Sequence, residues 1–118
     1  MTRVVVASSL PAKLCGLLFA KPDGRLLVMT RCHDIHTFGM AYPIDVAFLD
    51  GTLRVIESHR NVEPGRRLRC PEAWAVVERA WVPWAGWYRP GVRAGPAVRS
   101  ALASRPRYNV SQHRRRRP

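Results

Sequence analysis

The segment from Ile44 to Ser58 most narrows what this chain can fold into. Ile44 to Leu49 is a short, almost wholly apolar run, Asp50-Gly51 follows it, and Leu53 to Ser58 returns with alternating character. Asp-Gly accepts the backbone dihedrals that a tight reversal needs, so the pattern predicts a β-hairpin with one buried arm. Asp45 is the exception within that arm. A carboxylate in an apolar strand is costly to bury alone, so it is expected to meet His36 or several backbone N–H groups.

Punctuation on either side extends the strand reading. Arg3 to Ala7 carries three consecutive valines and suits a short strand at a sheet edge. Ser8 or Ser9 can cap a helix, Pro11 fits its first turn, and Leu10, Leu14, Leu17 and Leu18 form one apolar stripe. A short amphipathic helix is therefore predicted, ending before Lys21-Pro22. Lys21 to Gly24 is turn chemistry, and Arg25 to Thr30 reads as a buried strand.

Further along, Asn61 to Gly65 is predicted to turn. Ala73 to Trp81 is predicted as a strand because Val76-Val77 is β-branched and Pro71 and Pro83 bracket the run. Glu78 in that strand is read either as an outward-facing glutamate or as a second carboxylate at the Asp45 cleft. Trp81, Trp84 and Trp87 recur every third residue, but Pro83, Gly86 and Pro90 forbid a regular helix, so these rings are expected to lid a core. Gly95-Pro96 is read as opening a short helix through Ala103. The order of elements points to a mainly β fold, a small and mostly antiparallel barrel or sandwich with one short N-terminal helix.

A chain of 118 residues suits one domain, placed at 1–103. The remainder, 104–118, is arginine-rich and nearly free of apolar residues, so it is expected to be disordered. The 20 basic residues outnumber the 8 acidic ones by 12, and half of that excess lies in the tail at Arg105, Arg107, Arg114, Arg115, Arg116 and Arg117. Such a run attracts polyanions, whether nucleic acid, acidic protein or an anionic membrane face; the plainer reading is a solvated appendage. No helix-turn-helix, zinc finger or RNA-recognition signature accompanies it.

Cys15, Cys32 and Cys70 cannot all pair within one chain, and none forms a CxxC. Reduced thiols in a cytoplasmic protein are expected, with a Cys32–Cys70 bridge as the alternative. No apolar run approaches the roughly 18 residues of a membrane span. The first twenty residues superficially resemble a secretory signal, but Pro11 and Lys13 interrupt the apolar core that a signal needs.

Several segments in a fixed order carry a resemblance. They are CGLLF at Cys15 to Phe19, RLLV at Arg25 to Val28, the long run from Cys32 to Ile56, Val62 to Arg66, AVVERA at Ala75 to Ala80, and Trp87 to Gly91. From Leu14 to Gly91 the chain resembles the domain of unknown function 192 family, small and mainly β proteins of bacteria and archaea. The resemblance implies a jelly-roll-like barrel and supports an N-terminal helix over a signal peptide. It implies no activity. Where many members continue from Gly into Asp and a last strand, Gly91 is followed here by Val92, which puts closure of the sheet in question.

One stretch concentrates chemistry-bearing side chains. Cys32, His33 and His36 form C-H-x-x-H, with Met40 four residues on and Asp45 after Pro43. Thiolate, thioether and imidazole suit copper(I) or zinc, yet the paired ligands of a structural zinc site and the two cysteines of a haem attachment are absent, so no cofactor is assigned. As a catalytic set, His36 would be a general acid or base oriented by Asp45, with Cys32 or water as nucleophile and Glu78 as a further carboxylate. The plainer reading makes these groups the stitching of a loop that enters the core. The leading function is a non-enzymatic domain binding a small ligand or protein partner through a pocket of Cys32, His33, His36, Met40, Asp45 and Glu78. A metal-dependent or hydrolytic enzyme and a polyanion binder acting through the tail are the alternatives.

Overall fold

The structure is a computed structural model that describes residues 3–7 and 24–104. The predicted N-terminal helix, Cys15 and the tail from Arg105 lie outside the described residues. Seven strands follow in chain order: β1 (Val4–Ala7), β2 (Leu26–Thr30), β3 (Asp34–His36), β4 (Ile44–Leu49), β5 (Val55–Val62), β6 (Arg67–Arg69) and β7 (Ala75–Ala80). One helix, α1 (Pro96–Ser104), closes the series. The described part is mainly β, with β1 at a sheet edge as its valines predict.

β1, β2, β7, β4 and β5 hydrogen-bond in that order into one sheet, while β3 and β6 form a separate two-stranded ribbon. The β1–β2 pair is parallel and the other strand pairs are antiparallel. The described strands do not close into a barrel, since β1 and β5 are the ends of the main sheet. Where a last strand would pair with β5, Gly91 and Val92 exchange backbone hydrogen bonds with Val55 at 2.8 Å each, and Arg54 bridges Arg93.

The predicted hairpin is β4–β5, with a longer turn than Asp50-Gly51 alone. Asp50 Oδ1 accepts hydrogen bonds from the Thr52 N–H at 2.9 Å, the Thr52 hydroxyl at 2.7 Å and the Arg54 N–H at 3.0 Å. The reversal therefore runs through Leu53, which takes a positive φ of 68°. That conformation is rare for leucine and is held by the carboxylate and by the Ala94 N–H donating to the Leu53 carbonyl.

Alternation along the strands gives the main sheet two apolar faces. On one face Leu27, Met29, Val46, Phe48 and Val76 pack with Ile35 and Cys70 of the ribbon. On the other, Val28, Ala47, Leu49 and Val77 pack with Val98 and Leu102 of α1, and Trp87 and Tyr88 lie against them. Each fully buried side chain such as Phe48 or Leu49 contributes roughly 1.5–3 kcal/mol. Of the tryptophans expected to lid a core, Trp87 does so, whereas Trp84 is 83% exposed because the Pro83 turn lifts it off the sheet.

Candidate functional site

Asp45 is built into the sheet by a bulge. Ile44 pairs with Val62 and Val46 with His59, so β5 spends one residue more than β4 across this interval, and Asn61 takes a φ of 54°. A bulge frees one residue from the ladder and re-aims its neighbours. Here it turns the Asn61 N–H onto Asp45 Oδ1 at 3.1 Å and brings the Arg60 guanidinium to both carboxylate oxygens at 3.3–3.4 Å. Arg79, directly across from Asp45 on β7, donates to Oδ2 at 2.9 Å.

The partners of Asp45 are therefore two guanidinium groups and one backbone N–H. The expected contact with His36 is replaced, because β3 belongs to the ribbon and not to the sheet that carries Asp45. His36 is exposed and stacks on Phe38, with ring centroids 5.2 Å apart. His33 is exposed, and its carbonyl accepts from the Cys70 N–H at 2.8 Å. Cys32 and Met40 are half-buried against the ribbon-side core. Cys70 carries a free thiol, so the alternative Cys32–Cys70 bridge is not formed, and the Cys32 thiol donates to the Asp34 carbonyl at 3.6 Å. Burial pushes the Cys70 thiol above its ordinary range, and the nearby Glu57 carboxylate reinforces this, so it is a poor nucleophile.

Glu78 faces neither solvent nor Asp45. It sits opposite Val46, one position from the Asp45–Arg79 pair, so alternation sends it to the ribbon side of the sheet while Asp45 faces the α1 side. It is 6% exposed, and burial raises its carboxyl to about 7. The structure thus brings Cys32, Met40 and Glu78 to one side of the sheet and Asp45 to the other. Among the described residues, no three His, Cys, Asp or Glu side chains converge as metal ligands.

Arg60 and Arg79 do more than neutralise Asp45. Arg60 donates to the carbonyls of Val82 and Ala85 at 3.3 and 2.7 Å, and Arg79 to that of Gly86 at 2.9 Å. Together they lash the segment 82–86 to the sheet. The strap continues as the Trp87 indole donates to the Val46 carbonyl at 3.1 Å and Ser58 Oγ donates to the Tyr88 carbonyl at 2.6 Å. Between strap and sheet lies an open cleft of about 370 Å³, lined by Leu26 and Arg79 of the sheet and by Gly86, Trp87, Tyr88, Arg89 and Val92. The Arg79 guanidinium lies 4.8 Å from the Trp87 ring centre, and Tyr88 meets that ring edge-on at 5.0 Å.

Sequence reasoning passed over Arg60, Arg79 and the cleft. One signal was available: Arg79 is a lone cation in an apolar strand, as Asp45 is a lone anion in another, and two such groups of opposite sign satisfy each other most readily.

The family model DUF192, described as an uncharacterised ACR, matches residues 1–99. The chain belongs to this family. The DUF192 match extends past both ends of the Leu14 to Gly91 resemblance and takes in β1 and the first residues of α1. A protein of unknown function from Novosphingobium aromaticivorans is similar in structure, with a TM-score of 0.61, 20% identity, and coverage of 68% of this chain and 64% of its own. A Sinorhizobium meliloti protein named a "putative transcription regulator" has a TM-score of 0.57 and 19% identity, covering 66% of this chain and 67% of its own. At these identities the likeness is one of fold. No curated protein matches the chain. This DUF192 domain has no described helix long and apolar enough to cross a membrane.

Proposed function

We propose that this DUF192 protein is a non-catalytic binding module, and that its site is the cleft between the strap and the main sheet. The carrying observation is a charge imbalance beside aromatic walls. A single buried carboxylate, Asp45, stands against two guanidinium groups, of which that of Arg79 lines the cleft, and Arg89 is a second cation in the cleft wall. The surplus favours an anion, while Trp87 and Tyr88 supply flat apolar surface. The ligand class is a small planar anion such as an aromatic carboxylate. Asp45 serves the site indirectly, by fixing the guanidinium groups that hold the strap.

The catalytic reading of Cys32, His33, His36 and Asp45 draws no support from this geometry, because the Asp45 oxygens are occupied by Arg60, Arg79 and Asn61. Residues 1–103 are read as the binding domain and 104–118 as a solvated basic appendage. The main sheet with the ribbon stacked on it is read as a small sandwich.

Benzoate is a suitable probe, followed through the Trp87 indole N–H resonance. Titration is expected to shift that resonance saturably, with Arg89→Glu weakening binding about tenfold by reversing one cleft charge. A Trp87 signal unmoved at high benzoate concentration, or one that shifts equally in the variant, would overturn the proposal.

A further inference from the structure

The β3–β6 ribbon carries a surface unrelated to the cleft. Ile35 and Leu68 are paired across it and point inward, so alternation turns Asp34, His36, Arg67 and Arg69 outward, with Asp34 opposite Arg69 and His36 opposite Arg67. Phe38, 54% exposed, extends this surface by stacking on His36 with the two rings 27° from parallel. Arg66 is exposed at the turn that enters β6. Asp34 engages Arg67 through both oxygens, which leaves Arg66 and Arg69 as the further cations of the ribbon; Glu63 is the acid of the same turn.

The platform is held in shape from below. Thr37 is 1% exposed, its hydroxyl donates to the Glu63 carbonyl at 2.7 Å and accepts from the Arg66 N–H at 2.8 Å, and its own N–H donates to the Arg66 carbonyl at 2.7 Å. The residues on either side of Thr37 are His36 and Phe38, so this clamp fixes the stacked rings beside the arginines. A preorganised site loses less freedom on binding.

We propose that this outer ribbon face, with His36 and Phe38 stacked beside Arg66, Arg67 and Arg69, binds single-stranded nucleic acid. Guanidinium groups pair with phosphates irrespective of sequence, and an exposed flat ring accepts any unpaired base. A duplex keeps its bases stacked inside and gains nothing from Phe38. An anionic lipid surface uses the arginines without needing a planar platform.

The test uses the full-length protein and fluorescence anisotropy of a short labelled DNA strand of mixed sequence, the same sequence as duplex, and phosphatidylglycerol vesicles. The single strand is expected to bind about tenfold more tightly than the duplex. Arg66→Ala with Arg69→Ala is expected to weaken it on the order of tenfold and to flatten the log–log salt slope by about 1.4. Phe38→Ala should weaken it about fivefold with the slope unchanged, and Phe38→Tyr should retain binding. Replacing Arg114 to Arg117 by alanine should leave the preference for single strands intact. The proposal is overturned if strand and duplex bind alike, if vesicles bind while the single strand does not, or if only the tail variant lowers affinity. It is equally overturned if Phe38→Ala binds as the parent does while the melting curves of both are the same.

Discussion

Asp45 and Glu78 are both buried carboxyls, one position apart in the register of the same two strands, and they solve the same problem in opposite ways. Asp45, on the α1 side, accepts hydrogen bonds from Arg60, Arg79 and the Asn61 N–H. Glu78, on the ribbon side, lies between Leu27 and Val46 in the register of the sheet and has its carboxyl raised to about 7 by burial. A buried carboxylate is tolerated where cations and N–H groups replace its lost water; elsewhere the carboxyl holds its proton. One face of the sheet is thereby latched electrostatically to the strap, and the other is coupled to pH.

The largest expected effect comes from unlatching. Asp45→Ala leaves two guanidinium groups without their carboxylate, on side chains of which that of Arg79 is only 15% exposed, and is expected to cost about 3–5 kcal/mol in urea unfolding. A loss under about 1 kcal/mol would mean that water, and not Asp45, compensates Arg60 and Arg79, and the contrast between the two faces would fail.

Glu78→Gln sharpens the other half of the contrast. The unfolded carboxyl titrates near 4.5 and the folded one near 7. Between these values the unfolded chain has released a proton that the folded protein retains, so stability falls as pH rises from about 4.5 to about 7 and stays low above it. The gap corresponds to about 3 kcal/mol. Unfolding midpoints measured at pH 8 should therefore rise in the glutamine variant, with little change at pH 4.5. A parent protein as stable at pH 8 as at pH 5 would show that Glu78 ionises without cost.

How much of this was legible depended on whether the cause was local. The β4–β5 hairpin could be read because an apolar run, Asp50-Gly51 and a returning run are contiguous. That Asp45 needed partners was equally readable. Their identity was not, because it depends on a bulge at Arg60-Asn61 and on the pairing of β4 with β7, neither of which is marked in a short window. β3 and β6 escaped notice because three residues give too little alternation, one inward side chain each at Ile35 and Leu68. Glu78 was misjudged for a related reason: its strand has apolar cover on both faces, so alternation offers no outward side to a charged residue.

Thr37→Val probes the polar group that organises the ribbon. The change preserves shape but removes the hydroxyl that serves the Glu63 carbonyl and the Arg66 N–H, and is expected to cost about 1–2 kcal/mol. It should also raise hydrogen exchange at the Arg66 amide while leaving that of the β4–β7 ladder unchanged. An equal rise in both would show that ribbon and sheet unfold together, so that the two faces could not be compared separately.

Asp34→Asn should have the smallest effect on stability. Asp34 meets Arg67 through the same two contacts by which Asp45 meets Arg60, Nε to Oδ1 and Nη2 to Oδ2, yet Asp34 is 30% and Arg67 64% exposed where Asp45 is fully buried, so water already solvates both ions and salt screens their attraction. The Arg67 hydrogen bonds hold the Asp34 carboxyl below its usual range, so whatever it contributes is present at neutral pH and disappears as the solution is acidified through that lowered value. Its window lies below that of Glu78 and has the opposite slope, so the two carboxyls can be separated by pH alone. The asparagine variant should unfold at nearly the parent midpoint, and the small difference should vanish in concentrated salt. A loss approaching that of Asp45→Ala would break the rule on which the comparison rests, that geometry similar on paper acquires its energetic weight from burial.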